Sequence, residues 1–119
     1  MTIDPLALLQ RYHEALNAYD ERMVKAMFAE DAVYVSRGVN GRVAGRDAII
    51  AAFSAYFREH PDQRAADDTV TLVAPDTVRA QWRLEATARS TGGRVTRQGT
   101  ETVTFDANGL IRHVEVDDA

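Results

Sequence analysis

The residue best suited to do chemistry in this 119-residue sequence is a glutamate on the apolar face of a predicted strand. Alternation along residues 95–105 predicts a strand whose core-facing set includes Glu101 and Phe105. Because a carboxylate is costly to bury without a partner, two interpretations stay open. Either Glu101 lies at the sheet end, hydrated or paired with an arginine, or it lies desolvated and protonated in a cavity. Arg97 shares its face, but about 13 Å of strand separates the two, so we expect no direct pairing.

Tyr12 and Asp118 are the other residues that could contribute to such a site. Tyr12 lies at the centre of the apolar stripe of the first predicted helix. Its hydroxyl either finds a local partner in the core or donates a hydrogen bond into a cavity. The Asn108-Gly109 turn predicts that Arg112 and Asp118 both point inward on the last strand. Asp118 is then a candidate base at the cavity mouth, unless it lies in a solvated terminus.

The single tryptophan, Trp82, predicts where a binding pocket forms. Residues 77–89 alternate strictly between apolar and polar, which indicates a strand with one face on a core. Small alanines flank Trp82 on that face, so we expect it to form the floor of a pocket. Tyr34 and Ser36 share one face of a shorter strand, and whether that face points inward stays open. The residues predicted to contact a ligand are Tyr34, Ser36, Phe53, Phe57, Trp82, Val103 and Val116.

The histidines are expected to lie outside this site. His13 flanks the first-helix stripe and is predicted to be half-exposed rather than at the cavity rim. His60 lies at a helix end, where a cation is favourable, and His113 is predicted on the outer sheet surface. No histidine–carboxylate spacing typical of metal sites occurs, so we expect no metal. The glycines form no phosphate-binding pattern, and we expect no cofactor.

Composition excludes several classes of protein. The net charge is −4 and basic residues form no cluster, which argues against nucleic-acid binding. Cysteine is absent, so disulfides and thiol nucleophiles are excluded. No apolar run approaches membrane-spanning length, and the N-terminal residues do not resemble a secretion signal. We therefore expect a soluble cytoplasmic protein with no membrane partner.

The order of the predicted elements indicates one α+β domain over residues 1–119. Three helices come first, and a meander of mainly antiparallel strands follows. We expect the helices to pack on one side of a curved sheet. The glycine-punctuated stretch 38–45 is predicted to be loop. The predicted helices cover about residues 5–18, 21–28 and 46–59, and the predicted strands cover residues 33–37, 68–74, 77–89, 95–105 and 110–117.

This order resembles the nuclear transport factor 2-like superfamily, in particular its SnoaL-like branch. The segments that carry the resemblance are QRYHEALNAYD, MFAEDAVYVS, GRDAIIAAF and ETVTFDANGLIRHVEV. The resemblance implies a cone in which a sheet curls around the helices and leaves a cavity at its open end. Members of the superfamily include ketosteroid isomerases, polyketide cyclases, dehydratases, epoxide hydrolases and non-catalytic binding domains, so the fold does not determine the activity.

The resemblance also bears on the site residues. Ketosteroid isomerases bind an enolate oxygen with a first-helix tyrosine and a protonated strand acid. Tyr12 and Glu101 lie at similar positions here. However, Ser36 stands where those isomerases have their aspartate base, and Phe53 stands where they tend to have a tyrosine. Steroid isomerisation itself is therefore not the expected activity.

Two functions follow as hypotheses. The first is a small-molecule-binding domain with an apolar cavity, possessing isomerase-, cyclase- or dehydratase-type proton-transfer activity on a carbonyl-bearing or cyclic compound. The second is a non-catalytic ligand-binding or assembly module. The resemblance implies a homodimer through the outer sheet face, which a row of polar residues covers: Thr96, Gln98, Thr100, Thr102 and Thr104.

Overall fold

The computed structural model describes residues 2–39 and 41–119. Within these residues the chain forms three α-helices, one 3₁₀ turn and six strands. The elements in chain order are α1 (Pro5–Asn17), α2 (Glu21–Met27), β1 (Phe28–Ser36), the 3₁₀ turn (Arg37–Val39), β2 (Gly41–Ala44), α3 (Arg46–Glu59), β3 (Arg64–Ala74), β4 (Thr77–Thr87), β5 (Arg94–Phe105) and β6 (Ile111–Asp118). The predicted α+β class is confirmed.

Aspartate caps define where the first two helices begin. The Asp4 carboxylate accepts a hydrogen bond from the Ala7 amide at 3.2 Å, and Pro5 occupies the first turn. The Asp20 carboxylate accepts one from the Met23 amide at 3.1 Å. Each cap is worth about 1 kcal/mol of helix stability. No helix among the described residues is long and apolar enough to cross a membrane.

The predicted boundaries differ from the structure chiefly in three regions. β1 begins at Phe28 rather than at residue 33, and Phe28 does not belong to α2, because its backbone is already extended (φ −96°, ψ 141°). The predicted loop contains β2, which pairs antiparallel with β1 through backbone hydrogen bonds. Four residues are too few for an alternating pattern of side chains to indicate a strand. β3 begins at Arg64 rather than at residue 68, because its charged first half pairs with β4 as an exposed edge strand.

The six strands form one mixed sheet in the order β2-β1-β6-β5-β4-β3. β1 and β6 run parallel, and every other neighbouring pair is antiparallel. The helices pack against this sheet, with α1 contacting β3 and β4, and α3 contacting β1 and β2. The core between them includes fully buried side chains from both layers: Leu9, Phe28, Ile49, Phe105 and Ile111.

A bulge in the β5–β6 pairing changes which side chains point inward. Phe105 pairs with Ile111 and Thr104 pairs with His113, so Arg112 is the extra residue. Ile111 is consequently buried, and the Arg112 side chain is 58% exposed. The predicted inward orientation of Arg112 is wrong for this reason, since strict alternation from the turn does not allow for an extra residue.

Gly99 allows β5 and β6 to approach each other closely. A Cβ atom at this position would lie 1.9 Å from the carbonyl oxygen of Asp117. Real side chains do not tolerate such a contact, and the obstacle is backbone rather than a flexible side chain. The absence of a side chain at Gly99 is therefore a condition for this part of the sheet.

We predict that Gly99→Ala lowers the free energy of unfolding by about 2 kcal/mol, because the added methyl group must force the two strands apart. Gly93→Ala is the matched control, since its Cβ would only meet the Thr91 hydroxyl at 3.2 Å. We expect the control to change stability by less than about 0.5 kcal/mol. Urea unfolding followed by circular dichroism measures both, and equal losses would contradict this account of Gly99.

Candidate functional site

A cavity of about 510 Å³ lies between the helices and the inner face of the sheet. Its size falls within the range of small-molecule sites, and most of its walls are apolar. The sequence-predicted residues that line it are Tyr34, Ser36, Phe53, Phe57, Trp82, Glu101 and Val116. The orientation left open for the first strand is thereby resolved, because Tyr34 and Ser36 both face the cavity.

Tyr12 and Val103 lie in the core and do not line the cavity. Both are fully buried, at 0% exposure. The Tyr12 ring packs edge-on against Phe28, with ring centroids 5.6 Å apart. Its buried hydroxyl lies beside the Tyr34 side chain rather than in the cavity. Both residues were predicted to reach the ligand, but neither lines the cavity. Helix α1 presents Tyr12 to the core and His13 to the cavity.

His13 connects two carboxylates at the cavity wall. Its Nδ1 lies 2.6 Å from Asp67 Oδ2, and its Nε2 lies 2.6 Å from Glu101 Oε1. These side chains are 19%, 23% and 8% exposed for His13, Asp67 and Glu101. When the imidazole is protonated, both nitrogens donate, and each carboxylate accepts one charge-assisted hydrogen bond. Helix α1, edge strand β3 and strand β5 thus each supply one member of a single charged cluster.

The charges of this cluster determine its protonation. Burial alone would lower the pKa of His13, but the Glu101 carboxylate and the hydrogen bonds to Asp67 and Glu101 outweigh it and raise that pKa to about 10. His13 is therefore an imidazolium at neutral pH. Burial, followed by the nearby Glu101 carboxylate, raises the pKa of Tyr34, and burial does the same for Tyr12. Both phenols remain neutral and can act as donors.

The sequence prediction missed this cluster. His13 was expected to be half-exposed, and Asp67 fell outside the predicted strands. The available signal was the need of Glu101 for a cation, together with the position of His13 beside the apolar stripe. Asp67 was beyond reach because its placement depends on the pairing of β3 with β4, in which Asp67 lies opposite Trp82.

Asp118 forms an ion pair and does not reach the cavity as a free base. Arg97 Nε and Nη2 donate to its two carboxylate oxygens at 2.7 and 2.9 Å. This bidentate hydrogen bonding lowers the pKa of Asp118. Strands β5 and β6 bring the two residues together, since Gly99 is opposite Asp118. The prediction that Asp118 lies at the cavity mouth is therefore corrected: it binds Arg97, which itself lines the cavity.

Among the described residues, no group of three or more histidine, cysteine, aspartate or glutamate side chains is arranged to hold a metal ion. The cavity presents carboxylate, imidazolium and phenol groups within a mainly apolar enclosure. Such groups can bind an oxygen function and move a proton.

Residues 9–114 match the SnoaL-like domain family. Because the match covers most of the chain, the protein belongs to this family, and the resemblance stated from the sequence is confirmed. No curated protein sequence matches the chain.

Solved structures share the fold over nearly the whole chain. A Mycobacterium tuberculosis protein in complex with estradiol-17beta-hemisuccinate is 18% identical with a TM-score of 0.83, covering 94% of this chain and 91% of its own. The Delta 5-3-ketosteroid isomerase from Mycobacterium sp. is 21% identical with a TM-score of 0.82, covering 95% and 91%. An epoxide hydrolase/cyclase-like enzyme with a role in pyran ring formation in the polyether salinomycin is 18% identical with a TM-score of 0.84, covering 97% and 90%. Identities this low establish a common fold only.

We predict that His13→Gln lowers the free energy of unfolding at pH 6.5 by on the order of 3 kcal/mol, because the buried Glu101 carboxylate loses its cation. The folded-state pKa of His13, about 10, lies above the ordinary value of 6.5. The stabilisation is therefore complete below pH 6.5 and is lost as the pH rises through about 10. Urea unfolding of wild type and His13→Gln is measured over roughly four pH units, from about pH 6.5 to about 10.5, a range that spans both pKa values. The difference between their free energies of unfolding should shrink as the pH rises.

The control is His113→Gln, which removes an imidazole from β6 on the other side of the sheet. We expect its effect on the free energy of unfolding to be small, below about 0.5 kcal/mol. If the His13→Gln difference stays constant across the pH range, the charged cluster does not stabilise the protein in this way.

Proposed function

We propose that this protein binds a small carbonyl-bearing organic molecule in its cavity and transfers a proton at the carbon next to the carbonyl. The observation that carries the proposal is the Glu101 carboxylate, which lines an apolar cavity while His13 holds it at 2.6 Å. A solvated carboxylate would be a poor base for a carbon acid, whereas a desolvated and oriented one is effective.

The geometry of the cluster suits a proton acceptor. The imidazolium of His13 orients Glu101, and Asp67 on its other nitrogen compensates the positive charge. The hydrogen bond from His13 engages Glu101 Oε1, so Oε2 is the oxygen that would accept the proton. In the proposed step Glu101 takes the proton, and the electrons of the broken C–H bond form an enolate. The proton then returns to a carbon of the same molecule, as in an isomerase- or cyclase-type reaction.

Tyr34 is the proposed donor to the enolate oxygen. Its phenol is neutral and lines the cavity. Burial is the main cause of the raised pKa of Tyr34, and the nearby Glu101 carboxylate is the second. Tyr12 is proposed as a positioning residue, since its buried hydroxyl lies behind the cavity wall close to Tyr34. The apolar walls formed by Phe53, Phe57 and Trp82 would hold the body of the ligand.

The structural neighbours support this class of ligand and reaction. One of them is described as bound to a steroid derivative, one as a ketosteroid isomerase and one as a cyclase-like enzyme. A non-catalytic assembly module was the alternative expected from the sequence. A cavity filled by its own side chains with Glu101 at a wet rim would have favoured it. The open volume of about 510 Å³ and the 6% exposure of Glu101 favour ligand chemistry instead.

Deuterium exchange tests the proposal. We expect the protein to accelerate exchange of the protons next to the carbonyl of a cyclic ketone such as 4-androsten-3-one in D₂O, followed by NMR. Glu101→Gln should reduce the acceleration by about 10²- to 10⁴-fold, because the amide cannot accept the proton. Glu115→Gln on the exposed face of β6 is the matched control and should retain full exchange activity. Equal rates for wild type and Glu101→Gln would contradict the assignment of the base.

A homodimer through the outer sheet face is part of the same proposal. Thr100, Thr102 and Thr104 are half-buried on this face in the single chain and would present a flat polar surface to a second copy. Thr102 is flanked by Arg79 on β4 and Glu115 on β6, so it lies within the sheet rather than at its edge.

We predict that Thr102→Arg weakens self-association by at least about tenfold, because the long side chain would keep the two flat faces apart and its charge would have to be desolvated at the contact. Sedimentation velocity over a range of protein concentrations measures this. Arg22→Thr in helix α2, on the other layer, should leave the association unchanged. A wild-type protein that stays monomeric throughout would overturn the proposed dimer.

A further inference from the structure

The cavity has a second polar end, which the proposed proton transfer does not use. Arg97 and Glu101 lie on the same inward face of β5 and both line the cavity. Four strand residues separate them by about 13 Å. Near Arg97 lies Tyr56, whose hydroxyl accepts a hydrogen bond from Arg97 Nη1 at 3.3 Å and which also lines the cavity. Donor groups therefore stand at the end of the cavity away from Glu101.

The walls between the two polar ends are apolar. Gly99 lies midway between Arg97 and Glu101, and its cross-strand partner is Trp82. The Arg97 guanidinium lies over the Trp82 ring, 5.4 Å from its centroid, so the indole forms the apolar wall next to Arg97. A ligand that fills the cavity would thus meet polar groups at its two ends and apolar surface along its length.

The electrostatics of the second end favour an uncharged oxygen. Asp118 occupies Nε and Nη2 of Arg97 through two short hydrogen bonds and compensates the guanidinium charge. A ligand carboxylate here would lie beside the Asp118 carboxylate and would be repelled by it. Tyr56 remains a neutral phenol because burial raises its pKa. It accepts from Arg97, so its own O–H hydrogen can be donated to a ketone or hydroxyl oxygen.

We propose that Arg97 and Tyr56 form a second binding subsite that takes a neutral oxygen. The ligand is then an elongated, uncharged molecule with an apolar body and an oxygen function at each end. One oxygen belongs to the carbonyl near Glu101, and the other contacts the Tyr56 hydroxyl and Arg97. This inference rests on the proposed function for the identity of the first end, and it adds the length, charge and second functional group of the ligand.

Three steroids that differ at one end test the subsite: 4-androsten-3-one, 4-androstene-3,17-dione and 3-oxo-4-androstene-17β-carboxylic acid. Their dissociation constants for the full chain are measured by isothermal titration calorimetry. We expect the dione to bind at least about tenfold more tightly than the mono-ketone, because a hydrogen bond from a charged donor adds about that much affinity. We expect the acid to bind no more tightly than the mono-ketone.

Two variants locate the effect in the subsite. Arg97→Met combined with Asp118→Asn removes both charges together, so neither is left buried alone. Gly38→Ala keeps both charges, but its Cβ would lie 3.0 Å from Arg97 Nη1 and 3.3 Å from Tyr56 Cε2, so it displaces the donors. In both variants the preference for the dione should fall to within about twofold, while mono-ketone binding should change little. Circular dichroism verifies that each variant is folded. If the double variant does not fold, the result for Gly38→Ala decides whether the subsite exists.

The outcomes separate this inference from the proposed function. Equal affinity for the mono-ketone and the dione, or a preference that survives in the variants, overturns the subsite while leaving proton transfer at Glu101 intact. Tightest binding of the acid overturns the assignment of a neutral oxygen. No binding of any of the three overturns both. Dione preference together with a lack of deuterium exchange supports the subsite and contradicts the catalytic proposal.

Discussion

Burial of the Glu101 carboxylate is the constraint on which the arrangement of this cavity depends. A buried carboxylate needs a counter-charge, and His13 supplies it from helix α1. The imidazolium in turn needs compensation at its second nitrogen, which Asp67 supplies from β3. One buried side chain on β5 thereby helps to fix the rotation of α1 about its axis and the position of the edge strand β3. Asn17 of α1 adds to this by exchanging two hydrogen bonds with the backbone of Ala65 on β3. The same requirement places an oriented carboxylate in an apolar wall.

A similar logic applies at Arg97. This guanidinium is largely buried and is balanced by Asp118 on the neighbouring strand, with Tyr56 on α3 as an additional partner. The two clusters use different chemistry for the same purpose, since one pairs its carboxylate with an imidazolium and the other with a guanidinium. Aromatic and aliphatic side chains form much of the remaining cavity surface. Each of the two ion-paired clusters has one member on β5.

Much of the fold was predictable because local patterns report it directly. The strict alternation around Trp82, the aspartate caps of the first two helices and the apolar stripe that contains Leu9 each determine one element without reference to the others. The site was predictable only in part. Glu101 stands out because a charged residue on an apolar face is anomalous in any fold. Its partner could not be deduced, since the contact joins residues 88 positions apart in the sequence.

The remaining errors have a common physical origin. Arg112 was assigned to the wrong face because a bulge adds one residue to β6. β2 was missed because an alternating pattern cannot be recognised over four residues. Asp118 was placed wrongly and Asp67 was not singled out, because their surroundings come from strand pairing rather than from neighbouring residues. In each case the information lies in the register between strands, which a single sequence expresses only weakly.

The central position of β6 has a consequence for how this protein is made. β6 follows every other strand in the chain, yet it lies in the middle of the sheet between β1 and β5. Until β6 is synthesised, the hairpin of β1 and β2 and the meander of β3 to β5 share no backbone hydrogen bonds across the sheet. The parallel pairing of β1 with β6 also joins residues far apart in the sequence, such as Tyr34 and Val114, which is a slow contact to form. During synthesis, the facing edges of β1 and β5 stay unpaired until β6 is available to join them.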